Sequence, residues 1–303
     1  MGGISRNGGG MTPIRLGTRS SPLAMAQASL VRDVIRHVNP ALEPVICPMT
    51  TLGDRVDGPL QEMGGKGVFI RDIEQALLDH HIDMAVHSLK DVTANMADGT
   101  ILGGFVGNES CRDCLVGPAG VSLATLPVGA KVGTGSLRRR ALLAYHRPDV
   151  VVVPIRGNIQ RRLSYLTELD AIILSEVSLL RLPDLRVQYE PLSPLEFVPA
   201  PGQGVIGLQV REDDMGLQEL ARAMSPALTW LHASAHMQFL RGAQFDCRVP
   251  LGIYSTVLGD EWVATVFKAD ECLKQMQWFQ YTCAIIEREE KAFEWGSACR
   301  SGW

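Results

Sequence analysis

Apolar residues after Ser21-Pro22 recur at steps of three and four: Leu23, Ala26, Leu30, Val34 and Val38. That spacing predicts a helix with one apolar face. Ser21 suits the N-cap and Pro22 the first helical position, while Asn39-Pro40 stops the helix. Ahead of it, Ile14 to Leu16 reads as a short strand running into Gly17-Thr18-Arg19-Ser20-Ser21. A second helix is predicted from Val68 to Asp79, with Phe69, Ile73, Ala76 and Leu77 on one face. The apolar run Met84 to Val86 is a buried strand that delivers His87-Ser88-Leu89-Lys90-Asp91 at its carboxyl end. Strands alternating with helices predict an α/β fold with a largely parallel sheet.

The same plan returns further on. Val132 closes a strand, Thr134 to Ser136 turn the chain, and Leu137, Ala141, Leu142 and Tyr145 mark a helix. A strand from Val150 to Val153 follows, then Arg156-Gly157-Asn158, a helix bearing Ile159, Leu163 and Leu166, and a buried strand from Ala171 to Leu174. Gly17-Thr18 and Gly133-Thr134 therefore stand at equivalent strand-to-helix turns, which predicts two lobes of similar design facing one cleft. Four prolines between Pro191 and Pro201 mark a crossover, and Val205 to Val210 a strand returning to the first lobe. A third unit begins near Ser225, helical to Leu240, with strand-like runs at Ile253 to Leu258 and Trp262 to Phe267. The tail from Glu287 to Trp303 has too weak a periodicity to place.

Composition narrows the class. A chain of 303 residues, 46% hydrophobic and 20% charged, is long enough for two or three globular domains. No apolar run approaches the ~18 residues of a membrane helix. Met1 to Gly10 is glycine-rich, lacks a secretory signal's apolar stretch, and reads as a cloning remnant or a disordered tail, with the natural start at Met11. Seven cysteines, an odd number, read as reduced thiols of a cytoplasmic protein. Cys111-Arg112-Asp113-Cys114 has CxxC spacing, but no second pair follows, so two ordinary thiols are expected there and no metal site.

Charge changes the picture locally. The net charge is −4, yet seven arginines fall between Arg138 and Arg162 with only Asp149 among the acids. They gather at two predicted helix starts, the positive end of the backbone dipole, where cations require a compensating partner. Guanidinium forks beside helix-start NH groups trap carboxylates or phosphates. The expected ligand is a polyanionic small molecule. Nucleic acid is disfavoured, because the basic charge is local and no aromatics interleave it for base stacking.

Six motifs in order then carry a family resemblance: Gly17-Thr18-Arg19-Ser20-Ser21-Pro22-Leu23-Ala24, Gly64-Gly65-Lys66-Gly67-Val68-Phe69, His87-Ser88-Leu89-Lys90-Asp91-Val92, Ser136-Leu137-Arg138-Arg139, Arg156-Gly157-Asn158 and Pro201-Gly202-Gln203-Gly204. The chain resembles hydroxymethylbilane synthase, also called porphobilinogen deaminase, well over residues 12 to 210. The likeness thins over the third unit, where it rests on Cys247-Arg248-Val249-Pro250-Leu251-Gly252.

The resemblance implies three domains. The first two resemble the lobes of type II periplasmic binding proteins, at 11–106 plus 201–222 and at 107–200; the third is a small α+β domain at 225–303. It implies a monomeric transferase of haem biosynthesis that joins four porphobilinogen molecules head to tail with release of ammonia. The cofactor it implies is a dipyrromethane in thioether linkage to Cys247.

Each pyrrole carries an acetate and a propionate, which agrees with the arginine argument. Loss of ammonia from porphobilinogen gives an electrophilic azafulvene, and a single carboxylate beside the pyrrole NH groups can stabilise its charge and shuttle protons. The resemblance puts Asp91 in that role. It puts Cys247, Lys90, Thr134, Ser136, Arg138 and Arg139 on the cofactor, and Arg19, Ser21, Arg156, Arg162, Arg181 and Gln203 on substrate and growing chain. Read without it, Asp91 is a turn cap, Lys90 a solvated lysine, Ser21 an N-cap and Cys247 a buried apolar thiol. Arg140 and Arg161 match no family position and read as a solvated helix face. Lys66 and Phe69 are expected in a loop over the cleft.

The chain also departs from the family. Gln244-Phe245-Asp246 stands where a glycine pair is usual, Gly135 where serine is, Leu52 where arginine is, and Thr93 where proline is. Glu176 occupies a normally small, apolar segment. These departures leave a non-enzymatic two-lobed anion- or pyrrole-binding protein as the alternative.

Overall fold

In the computed structural model the described residues are 12–50, 70–107, 109–244, 249–270 and 272–301. The calls on Met1 to Met11, Leu52, Lys66, Phe69, Phe245-Asp246 and Cys247 lie outside them.

Strand β1 (Thr12–Arg19) leads through Ser21 into α1 (Pro22–Val38), and β2 (Leu42–Met49) follows. Next come α2 (Arg71–Leu78), β3 (Met84–Ser88), a 3-10 turn at Leu89–Asp91 and β4 (Thr100–Val106). The chain crosses over to β5 (Asp113–Val116), β6 (Lys131–Gly133), α3 (Leu137–His146), β7 (Val151–Val153) and α4 (Ile159–Ser164). It continues through β8 (Ala171–Ser175), α5 (Glu176–Leu180) and β9 (Tyr189–Pro191), then returns as β10 (Ile206–Arg211) and α6 (Met215–Ala223). Helix α7 (Ala227–Ala243), strands β11 (Leu251–Leu258), β12 (Glu261–Ala269) and β13 (Met276–Ala284), and α8 (Arg288–Ser301) complete it.

The two lobes share one plan. The first sheet runs β2-β1-β3-β10-β4 and the second β7-β6-β8-β5-β9. Each is parallel except for its fourth strand, β10 or β5, and that strand is the one the chain enters by a crossover. Both entering strands are buried along their whole length, as strands covered on both faces must be. This two-lobed α/β design with a small third unit is the expected fold class.

Two local expectations change. The α1 span and its Ser21 cap are as predicted, but the buried positions are Ala24, Gln27, Ala28, Val31 and Ile35, one step round from the predicted stripe, and Val38 is exposed. The helix carries two apolar stripes, and the one with small Ala24 and Ala28 lets its backbone approach the sheet. On α3, Tyr145 is exposed to 57%, its ring 4.5 Å from that of Trp278 in β13.

The tail without clear periodicity folds as α8. Its apolar contacts are not repeated at helical steps because glycine does part of the packing. A Cβ on Gly242 of α7 would collide with the Phe293 carbonyl, and one on Gly296 with the Phe239 carbonyl. Trp295 stacks on Trp262 and Tyr281, fixing α8 to the β11-β12-β13 sheet. This third unit packs on both lobes. Phe267 and Ala269 share a core with Leu142 and Leu143, while Ala233 and Met237 share one with Leu89 and Phe105.

Candidate active site

The carboxyl ends of β1 and β3 carry the first lobe's polar groups. Ser21 Oγ accepts the Ala24 N–H at 3.4 Å, so it is an N-cap as the sequence suggests. Arg19, Ser21, Gln27, His87, Ser88 and Asp91 line a small cavity of about 70 Å³. Beneath it, buried His87 lies 3.0 Å from Gln209 Oε1, and the Gln209 amide donates to Glu74 and Thr100. Burial holds the His87 pKa below its ordinary value, with the Gln209 hydrogen bond and the Glu74 and Asp91 charges acting against it. Asp91 stands exposed above this layer.

In the second lobe Ser136 caps α3, and Thr134 Oγ1 accepts the Ser136 N–H at 3.2 Å. The arginines there divide. Arg138 and Arg139 are buried and share one carboxylate, that of Asp113, at 2.7 Å each. Arg138 also donates to the Val198 carbonyl and Arg139 to that of Ile173. The compensating partner demanded by cations at this helix start is thus internal. Burial opposes ionisation of Asp113, but the Arg138 and Arg139 guanidiniums outweigh it and hold the carboxyl well below its usual range. Asp113 is assigned no role by the sequence, where it stands only as a residue between Cys111 and Cys114. Cys111 and Cys114 are free thiols, and burial raises the pKa of both.

Arg156 and Arg162 form a more open set. Burial lowers the Arg162 pKa, and the charges of Arg139, Arg156 and Arg19 lower it further, with Asp91 acting against them. Guanidiniums of both lobes therefore converge near one carboxylate. Arg147 is structural: it pairs with Asp149 at 2.6 Å and binds the Leu123 and Leu126 carbonyls. Arg140 and Arg161 are exposed, as expected.

The crossovers join the halves. Gln203 donates to Asp113 at 2.9 Å and to the Cys111 carbonyl at 2.7 Å, and accepts from Lys90 Nζ at 3.4 Å. Burial and the nearby Arg139 push Lys90 down to about 8, opposed by Asp91 and Asp113. Arg181 does not join the converging set. It pairs with Glu109 at 2.6 Å and donates to the Gly204 carbonyl, tying one crossover to the other.

Two departures find physical reasons. A Cβ at Gly135 would stand 2.6 Å from the Ile155 carbonyl oxygen, so the serine usual in the family does not fit this turn without backbone movement. Glu176 accepts from Ser110 at 2.5 Å, and its N–H donates to the Arg112 carbonyl, so the added carboxylate clamps the first crossover. Thr93 caps its own turn, donating to the Asn95 carbonyl.

A family model described as "Porphobilinogen deaminase, dipyromethane cofactor binding domain" matches residues 14–219. The chain belongs to the porphobilinogen deaminase family. It is 43% identical to the porphobilinogen deaminase of Syntrophotalea carbinolica over 80% of this chain and 78% of that one. It is 39% identical to that of Streptococcus sanguinis over 86% and 88%, and 40% identical to that of Moorella thermoacetica over 82% and 80%. Among solved structures, a putative methionine-binding lipoprotein of Bacillus subtilis aligns at TM-score 0.43 and 11% identity, covering 72% of this chain and 92% of that one, a likeness that carries no argument. Among the described residues no helix is long and apolar enough to cross a membrane, and no group of three or more His, Cys, Asp or Glu is arranged to hold a metal ion.

Proposed function

We propose that this chain condenses four porphobilinogen molecules into hydroxymethylbilane with loss of ammonia, acting as a monomer in the cytoplasm. The reading rests on one observation above all: among the described residues an exposed carboxylate, Asp91, shares a cavity with Arg19 and lies in the field of Arg162 from the other lobe. Such a bank suits a chain of pyrroles bearing acetates and propionates, because guanidinium–carboxylate pairing is bidentate and charge-assisted.

The donor set also fits a dipyrromethane. Lys90, Thr134, Ser136, Arg138 and Arg139 would hold its carboxylates, with Cys247 as the attachment point. Bound there, the group supplies a primer to which the product chain stays tethered. Arg138 and Arg139 enter this role already oriented by Asp113, which leaves a net positive charge for the ligand. Arg19, Arg156 and Arg162, with Ser21 and Gln203, bind and orient the incoming pyrrole. Arg181 contributes indirectly, through its hold on the Gly204 carbonyl.

Asp91 accepts the pyrrole N–H as positive charge develops on the ring, and takes up and returns the proton there. No other described carboxylate has both its exposure and its position among the cations; Asp113 is sealed, and Glu176 is engaged by Ser110.

Intact-mass measurement on protein from cells competent in porphobilinogen synthesis should show an adduct of dipyrrole size that is lost in Cys247→Ser. Direct assay should show hydroxymethylbilane formed from porphobilinogen. An unmodified chain that binds pyrroles without joining them would instead establish the non-enzymatic alternative.

A further inference from the structure

A hydrogen-bond relay in the third unit reaches the second crossover, and its proton positions follow from its donors. The Gly202 N–H donates to His236 Nδ1 at 3.2 Å, so that nitrogen carries no proton. The neutral ring then holds its proton on Nε2, which lies 2.8 Å from Ser255 Oγ and donates to it. The Ser255 hydroxyl is left to donate to His232 Nδ1, also at 2.8 Å, where the Trp262 indole N–H converges at 3.2 Å. His236 is buried, and burial together with the neighbouring His232 pushes it down to about 3, so the neutral form persists across ordinary pH. His232, His236 and Ser255 line a cavity of about 510 Å³ together with Cys111, Glu176 and Gln203, so the relay sits where third unit and crossovers meet.

What the relay grips matters more than the relay. Gly202 immediately precedes Gln203, whose side chain spans from Lys90 to Asp113. The Gln203 N–H bonds the Ala200 carbonyl, and the Gly202 carbonyl accepts the Val205 N–H, so the peptides here form one short turn. A shift of the Gly202 amide therefore moves the Gln203 side chain.

We propose that His236 is a positioning residue for the condensation: by holding the Gly202 N–H it sets the Gln203 amide that registers Lys90 against Asp113 and its two arginines. This rests on the function proposed above. His236 touches neither substrate nor reacting atoms; it acts through Gly202 and Gln203.

Two near-isosteric replacements split its two bonds. Asparagine places an acceptor where Nδ1 stands, keeping Gly202 and losing Ser255. Glutamine places a donor where Nε2 stands, keeping Ser255 and losing Gly202. In the full-length protein, His236→Asn should stay within about twofold of the unsubstituted kcat, whereas His236→Gln should lose about tenfold in kcat with KM little changed, as a small misplacement of positioning groups does. Hydrogen–deuterium exchange of the Gly202 amide should be slow in the unsubstituted protein and in His236→Asn, and at least about tenfold faster in His236→Gln, the response of an opened hydrogen bond.

Equal losses in the two variants would reduce His236 to a packing role and overturn the proposal. So would an unprotected Gly202 amide in the unsubstituted protein, a result that needs no variant to fold. Absence of turnover in the unsubstituted protein would instead overturn the proposed function, while the exchange measurements still decide the Gly202 contact.

Discussion

At the carboxyl ends of β1 and β3 the first lobe presents Arg19, Ser21, Lys90 and Asp91; at the ends of β6 and β7 the second presents Thr134, Ser136, Arg138, Arg139 and Arg156, with Arg162 on the helix that follows. The sheets are topologically equivalent, so the difference lies in what each strand end carries and how it is held. The third strand makes the contrast sharpest. After β3 comes Asp91, open above a hydrogen-bonded layer of His87, Gln209 and Glu74. After β8, its counterpart, comes Glu176, its carboxylate bound by Ser110 of the crossover. One plan thus yields an available carboxylate in one lobe and a clamp in the other. Topology brings strand ends together, and the local partners decide which group remains for chemistry.

Exchanging amide for acid at those two positions tests the contrast most severely. Asp91→Asn should lower turnover by about 10²- to 10⁴-fold, the usual contribution of a positioned acid–base group. Its exposure predicts an unchanged melting temperature and an unchanged adduct mass. Glu176→Gln keeps an acceptor for Ser110 and should cost little turnover. Comparable losses in the two variants, read from single-turnover and steady-state assays, would erase the distinction.

The second lobe should break differently, by losing stability along with activity. Asp113→Asn leaves Arg138 and Arg139 buried without their shared countercharge, which costs about 3–5 kcal/mol for a broken buried pair. Urea unfolding measures it, and activity per folded molecule should fall too, because Asp113 orients both arginines and anchors Gln203. Arg139→Ala is expected to show part of the same destabilisation, because Arg139 supports the Asp113 network.

This division was half legible in the sequence. The doubled strand–turn–helix pattern and the returning strand could be read because their apolar runs are short and bounded by Gly, Pro and caps. The ligand's charge could be read from the arginines, and family motifs carried Asp91. Asp113 could not be read, since a buried ion pair joins residues distant in sequence and leaves no periodic trace. Helix α8 escaped because Gly242 and Gly296 contribute to its packing through backbone contact, which hydrophobic spacing does not register. The stripe on α1 was misplaced because alanines bury with little apolar weight.

Within the open arginine set the effects should be smaller and confined to binding. If Arg162 binds a pyrrole carboxylate as proposed, Arg162→Ala should raise KM by about tenfold, at the low end of the range for a charged hydrogen bond. Stability should hold or rise slightly, because Arg162 is pressed by Arg139, Arg156 and Arg19. A KM unchanged within error, with substrate titrated through saturation, would remove Arg162 from the ligand's surroundings.

The gentlest probe is pH, because Lys90 stands at the seam between the lobes. Its ammonium is half-buried among Arg139, Arg138, Asp91 and Asp113, and burial with the Arg139 charge brings it from an ordinary 10.5 to about 8. Below pH 8 it is protonated in folded and unfolded chains alike, and the folded state bears the full cost of the confined charge. As pH rises from about 8 towards 10.5 the folded protein sheds that proton before the unfolded chain does, so this group alone makes the fold more stable over that window. Carboxylate binding moves the opposite way: the ammonium is present well below pH 8 and lost above it, so the proposed hold on the cofactor's carboxylates should weaken and turnover fall while unfolding free energy improves. Lys90→Met should flatten both trends together. Turnover that stays level through pH 9 in the unsubstituted protein would mean that the cofactor's carboxylates lean on the second lobe's arginines alone.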